Sequence, residues 1–402
     1  MNEYQQKIYD DLMQLVENNE AFYYVDQHIF DGLSSSIDTV YRIFLYRLAS
    51  YTDFLNPSAL ECRGITFEVT EEGKNAQPIR LAAMPMEKFF NLHENPFTMD
   101  LDLSAVESVM LKADGSLISA FKHNGYLRLK TKGSLWSDQA MAAMGWLHDH
   151  ENQPLLNEIT LLVNHGFTVN MEWCAPDNRI VINYQEPKLV ILNIRNNEDG
   201  SYVRYPDRVD EGFVEIHKHW IELEQPKDIN EFVKQIPSMK DVEGYVVCIS
   251  SGQPHAKTQL ANGDCCIGIQ HVKIKTEWYL TQHRAKDSID SPRRLFEAVL
   301  EEATDDLKSL FHDNPYVLNK IDEMEKFVEV RYNHLVDTVE RFYERNKGLE
   351  RKEYAILGQQ EMDRMQFGLA MMKYLDKPVS YKDAMKKAWK HYGLKDAVKE
   401  EE

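Results

Sequence analysis

Two apolar runs flank a lysine and an Asp-Gly turn in Val109-Met110-Leu111-Lys112-Ala113-Asp114-Gly115-Ser116-Leu117-Ile118. The runs on either side read as strands, so the lysine stands where one strand hands over to the next. Alone, Lys112 to Gly115 is a weak signal, and a lysine exposed before a turn would explain it. Three other charged segments weigh against that explanation. Glu172 lies inside the apolar strand Val169–Trp173, and Glu243 with Gly244 opens the strand Tyr245–Ile249. Lys273 and Lys275 alternate with Val272 and Ile274. A period of two puts both lysines on one strand face and the two apolar residues on the other. Any one of these charges could face solvent. A lysine, two strand glutamates and a lysine pair in that order are better explained by one shared cleft.

Further strands are expected at Tyr41–Tyr46, Gly64–Val69, Leu117–Phe121, Tyr126–Lys130, Phe167–Trp173 and Lys188–Asn193. Asn124-Gly125 between two of them marks a hairpin, because this pair tolerates the positive φ of a type I′ turn. The pattern changes near residue 285. Ser291-Pro292 starts a helix, with Leu295, Phe296, Val299, Leu300 and Leu307 at helical spacing. Further helices are expected over 315–346, 351–375 and 380–391, with Ser380 and Asp383 resembling a capping box. The reading is α+β: an α+β domain at 1–285 and an all-helical domain at 286–402.

The chain has 402 residues, enough for two to three domains, with 43% hydrophobic and 28% charged residues as in ordinary globular proteins. No run of eighteen apolar residues occurs, which excludes a spanning helix of that kind. Met1 to Asp10 is polar and lacks the apolar core of a signal peptide, so a cytoplasmic protein with no membrane partner is expected. Five scattered cysteines and no C-x-x-C pair argue against a disulfide framework or a structural zinc site. Cys265 and Cys266 read as a loop detail. A net charge of −19 argues against non-specific coating of nucleic acid but leaves room for a local basic cleft. Signatures of P-loop ATPases, of G-x-S-x-G hydrolases and of H-E-x-x-H metalloproteases are all missing.

The order and spacing of the charged segments resemble the covalent nucleotidyltransferases, which comprise ATP-dependent ligases and mRNA capping enzymes. Lys112–Gly115 looks like motif I, Asn170–Trp173 like motif III, Glu243–Tyr245 like motif IV and Val272–Lys275 like motif V. Tyr41–Phe44, Leu60–Gly64, Pro85–Leu92, Glu94–Thr98, Ala175–Val181, Glu277–Tyr279 and Ala303–Lys308 narrow the resemblance to the bacteriophage T4 RNA ligase 1 family. Helices after motif V, where DNA ligases and capping enzymes place a small β-barrel, point the same way. Ser250 to Gln270 looks longer than in that family, and a loop extension with no catalytic part is expected there, turning at Asn262-Gly263-Asp264.

The resemblance implies an adenylyltransferase domain built on antiparallel sheets at 1–285 and a helical C-terminal domain of the RNA ligase 1 type. It implies ATP and Mg²⁺ as cofactors and single-stranded RNA ends, from cleaved tRNA, as partners. Lys112 becomes the nucleophile that takes AMP. Tyr46, Arg63, Lys88, Lys132, Glu172, Glu243, Lys273 and Lys275 bind ATP, and Tyr279 is a further functional position. Asp305 and Asp306 are implied to contact metal. An aromatic core role for Tyr279 and a salt bridge between Arg63 and Glu61 stay open. Repair of tRNA in an infected host's cytoplasm, by a monomer, is the implied setting. Only a neutral amine attacks phosphorus, and about 0.1% of an ordinary lysine is neutral near pH 7.4. Lys273, Lys275, Lys132 and a bound divalent ion are therefore expected to depress the Lys112 pKa. The alternative is a non-catalytic RNA- or nucleotide-binding protein that retains the fold.

Overall fold

The computed structural model describes residues 1–30, 38–47, 49–203, 213–259, 265–304, 307, 308, 311 and 314–394, the side chains of 250–259, 265–269 and 288 excepted. The chain divides into two compact units, Met1–Leu280 and Thr281–Glu400. The fold is α+β in the first unit and helical in the second.

The first unit opens with α1 (Glu3–Asn18), started by a capping box between Asn2 and Gln5. Its apolar stripe, Ile8, Tyr9 and Leu12, packs on a four-stranded antiparallel sheet. That sheet runs in chain order: β1 (Phe22–Phe30), β2 (Asp38–Tyr46), β3 (Thr66–Val69) and β4 (Pro78–Ala83). The Tyr9 ring meets Phe44 and Phe67 edge-on, at centroid distances of 5.7 and 5.2 Å.

Two more sheets frame the segment read first. In one, β5 (Phe90–Asn91), β6 (Val106–Leu111), β11 (Leu223–Glu224), β12 (Gly244–Gln259) and β13 (Cys265–Lys275) lie in the order β11-β6-β12-β13-β5. Only its β13–β5 pair is parallel. In the other, β7 (Ser116–His123), β8 (Tyr126–Lys130), β9 (Phe167–Cys174) and β10 (Lys188–Asn196) lie in the order β10-β9-β7-β8. Helices α2 (Asp138–His148) and α3 (Gln153–Asn164) cover this sheet, burying Leu147, Leu155 and Ile159 against Ile118, Met171 and Ile191. Short helices α4 (Val214–Lys218) and α5 (Ile229–Gln235) complete the unit. Lys112 to Gly115 is thus the crossing between two sheets, since β6 ends at Leu111 and β7 starts at Ser116.

The hairpin signal holds: Asn124 and Gly125 have φ of 47° and 86°, and His123 pairs with Tyr126. The expectation for Ser250–Gln270 needs correction. It is not a loop appended to the strands; β12 and β13 themselves run on into it, with Ser250 opposite Ile269 and Gln259 opposite Cys265. The turn assigned to Asn262–Asp264 lies outside the described residues.

In the second unit α6 (Glu277–Asp290, begun in the first) leads to α7 (Pro292–Leu300), capped by Ser291 with Pro292 in its first turn. The long α8 (Pro315–Asn346) follows the expected span. The single helix expected over 351–375 is two, α9 (Arg351–Glu361) and α10 (Arg364–Tyr374). The physical cause is Asp363, which forms a capping box with Gln366 and restarts the helix. The last helix, α11 (Tyr381–Lys387), is capped by Ser380 and ends before a short turn over Trp389–Tyr392, rather than running on to 391. Phe296, Val339, Tyr354, Ala370 and Met385 form the core of this bundle. Among the described residues no helix is long and apolar enough to cross a membrane.

Candidate active site

The strand crossing delivers Lys112 to Glu243. Lys112 Nζ lies 2.8 Å from Glu243 Oε2, and Lys275 Nζ lies 2.9 Å from Glu243 Oε1. Pairing across β12 explains the meeting: Gly244 stands opposite Lys275, and the Lys112 backbone N–H donates to the Gly244 carbonyl at 2.9 Å. Glu243 is only 3% exposed, and each of its carboxylate oxygens is met by a lysine. Val272 and Ile274 face the core, as the alternation requires, leaving Lys273 and Lys275 on the site face.

Glu172 approaches from the other sheet. Leu117 on β7 stands opposite Glu172 on β9, and Gly115 N–H donates to Glu172 Oε1 at 3.1 Å. A side chain at Gly115 would run into the Trp173 carbonyl, so this close crossing requires glycine. Burial pushes the Glu172 carboxyl up to about 7, opposed by Lys112 and Arg63.

The nearby Asp114 is 1% exposed and fully engaged. Its Oδ2 accepts from the backbone N–H groups of Val181 and Ile182 at 2.7 and 2.6 Å, and its Oδ1 from the Tyr279 hydroxyl at 2.7 Å. Tyr279, 3% exposed, is therefore both buried core and part of the site; Lys275 Nζ sits 4.8 Å from its ring centroid. The sequence reading missed Asp114, because an Asp before Gly looks like turn chemistry and its backbone partners lie more than sixty residues away.

A second cluster gathers around aromatic rings. Lys88 and Lys132 lie 5.4 and 5.1 Å from the Tyr46 ring centroid. Arg63 and Lys273 lie 5.6 and 5.5 Å from that of Phe89. The open alternative of an Arg63–Glu61 salt bridge does not hold. Glu61 is taken by Arg195, in a buried bidentate pair at 2.8 and 2.9 Å, while Arg63 donates to the Met86 carbonyl at 3.4 Å. Burial, then Lys88, Lys112, Arg63 and Lys275, bring the Lys273 amine down to about 7. Lys273 thus feels charges from both clusters, one holding Lys112, Glu172, Glu243, Lys275 and Tyr279, the other Arg63, Lys88, Lys132 and Tyr46. Asp305 and Asp306 lie outside the described residues.

The Lys112 amine shifts the opposite way from the depression expected of surrounding cations. Burial opposes its charge, but Glu243 and Glu172 outweigh burial and raise its pKa above the ordinary lysine value. Depression of a pKa by surrounding cations falls on Lys273 instead. The Glu243 carboxylate, 2.8 Å away, is the nearest charge that favours the ammonium.

A family model described as RNA ligase matches residues 61–279, and one described as T4 RNA ligase 1, C-terminal domain, matches residues 286–393. The chain belongs to the RNA ligase family. RNA ligase 1 of Bacteriophage TS2126 is 26% identical over 321 residues, 77% of this chain and 73% of its own. A Thermovibrio ammonificans relative is also 26% identical, over 302 residues, 74% of this chain and 72% of its own. Among solved structures, an archaeal ATP-dependent RNA ligase aligns over 78% of this chain and 76% of that chain, at TM-score 0.41 and 11% identity. A likeness at that level carries no functional weight. In this RNA ligase family member, the segment matched by the first model contains both strand glutamates, both strand lysines and Lys112.

Proposed function

We propose that this chain is an ATP-dependent RNA ligase that joins a 5′-phosphate to a 3′-hydroxyl through a lysyl-AMP and an adenylylated RNA end. The observation that carries this reading is the lysine at a sheet crossing, ion-paired to a buried glutamate that a second strand lysine also holds. Residues 1–285 are proposed as the adenylyltransferase domain and 286–402 as the helical domain that positions RNA.

ATP is assigned to Tyr46, Arg63, Lys88, Lys132, Glu172, Glu243, Lys273 and Lys275. Cations around Tyr46 and Phe89 suit a polyphosphate. Lys112 must leave Glu243 and give up a proton to solvent before it attacks. Its nitrogen then bonds to the α-phosphorus while the bond to pyrophosphate breaks, and pyrophosphate departs. Lys273 and Lys275 oppose recharging of the amine and stabilise the phosphoryl oxygens. In the next two steps the AMP passes to the RNA 5′-phosphate, and the 3′-hydroxyl displaces it. Tyr279 acts by fixing Asp114 beside Lys112.

Mg²⁺ is the proposed ion, since it keeps waters and takes few carboxylates beside phosphates. Among the described residues no group of three or more metal-binding side chains assembles. Both Glu243 oxygens are occupied by lysines, which leaves Glu172 as the carboxylate that fits. Asp305 and Asp306 are proposed, separately, as metal contacts of the helical domain. Bound Mg²⁺ would supply charge neutralisation at the phosphates. Cleaved tRNA as the natural substrate, a phage setting, a cytoplasmic location and a monomer complete the proposal.

The second reading is a non-catalytic nucleotide- or RNA-binding protein that retains the fold. Incubation with ATP, Mg²⁺ and a 5′-phosphorylated single-stranded RNA separates the two. The ligase reading predicts circular RNA, formed far better than nicked duplex DNA is sealed. No joining supports the second reading, and preferred sealing of nicked DNA contradicts the RNA assignment.

A further inference from the structure

Lys130, the last residue of β8, is wholly buried at 0% exposure. Its ammonium donates to three backbone carbonyls: Gly64 at 2.9 Å, Thr131 at 2.8 Å and Lys132 at 3.2 Å. An ammonium has three N–H donors and a neutral amine two, so three carbonyl acceptors suit the charged form. Burial works against that charge and brings the group down to about 7. A buried lysine with no carboxylate in its hydrogen-bond set is a costly feature, and this one ties together two particular turns.

One turn carries Arg63 and the other Lys132. Gly64, at φ +93°, lies so close to the second turn that a Cβ there would meet the Lys132 carbonyl oxygen at 2.5 Å. The Gly64 carbonyl also accepts from the Thr66 hydroxyl at 2.9 Å, and its N–H donates to the Phe44 carbonyl at 2.8 Å. The second turn is closed by the Thr131 N–H donating to the Ser134 carbonyl at 3.0 Å. The lysine thereby fixes the backbone spacing between residues 63–64 and 131–132. These segments present two of the cations over the Phe89 and Tyr46 rings.

We propose that Lys130 is a positioning residue for nucleotide binding, whose buried ammonium sets the distance between Arg63 and Lys132 so that both engage one polyphosphate. This rests on the nucleotide reading above. It differs from that reading in assigning a role to a group that cannot touch the nucleotide.

The test is binding of α,β-methylene-ATP with Mg²⁺ to the full chain, in a double-mutant cycle of Lys130→Met and Lys132→Ala. Lys130→Met should weaken binding about tenfold while leaving the far-ultraviolet circular dichroism native. The combined loss should fall at least fivefold short of the product of the single losses, because Lys130 acts through Lys132. Independent losses that multiply, or a Lys130→Met effect below twofold, overturn the proposal. If Lys130→Met does not fold, Lys130→Gln, which retains two donors, carries the same cycle with the same two overturning results. A wild-type chain that binds no nucleotide sinks the functional reading, and the inference with it. Tight wild-type binding with multiplicative losses sinks the inference alone.

Discussion

Lys112 and Glu243 form an ion pair of 2.8 Å at the junction of two sheets, and the pair holds the lysine in its charged form. Glu243→Gln removes that carboxylate, so the Lys112 pKa should move down. Modification of Lys112 by an amine-selective reagent, followed by mass spectrometry across pH 6 to 11, reads this directly. The pH at half-maximal reactivity should fall in the variant. An unchanged or raised midpoint contradicts the account of the pair.

Lys273 carries the opposite shift. Its folded pKa of about 7 lies below the ~10.4 of an exposed lysine. Between those values the unfolded chain binds the extra proton, so this group's contribution to stability rises with pH. Below about pH 7 both states are protonated and the penalty is at its full, constant size. Lys273→Met removes the penalty. Its stability advantage over wild type in urea melts should therefore be largest at pH 7 and shrink towards pH 10. A constant difference across that range would show that Lys273 titrates normally.

Tyr279→Phe deletes one hydroxyl and leaves Asp114 Oδ1 short of a donor. Unfolding by urea should show a loss of about 1.5–3 kcal/mol, the usual worth of a hydrogen bond to a charged group. Nucleotide transfer should slow as well, because the crossing that carries Lys112 is anchored through Asp114. Full stability in the variant would mean that the bond contributes nothing.

Much of this was legible locally and little of it at long range. The two-residue period of Val272 to Lys275 placed the strand lysines on the site face, because strand geometry leaves no other choice. Asn124-Gly125 gave its turn for the same reason. The α9–α10 break was also in reach, since Asp363 and Gln366 stand at capping-box spacing. Ser250–Gln270 was misjudged because extra length reads as an added loop, whereas pairing with β13 carries the strand through Gly252 and Pro254, both poor strand formers. Lys130 follows Arg128 in a strand that reads as amphipathic, and only the approach of Gly64, some sixty residues earlier, buries it. The Glu61–Arg195 pair and the Asp114 contacts likewise depend on partners that no local pattern announces. The Lys112 pKa was misjudged in sign because sequence order reveals that charges meet, but not which pair stands closest.

Incubating the full chain with α-labelled ATP and Mg²⁺, then separating it by denaturing electrophoresis, tests the central claim most directly. The account predicts a labelled protein band, abolished by Lys112→Ala, with AMP mapped to Lys112 by peptide mass. A band that survives Lys112→Ala, or an unlabelled wild-type chain, would contradict it.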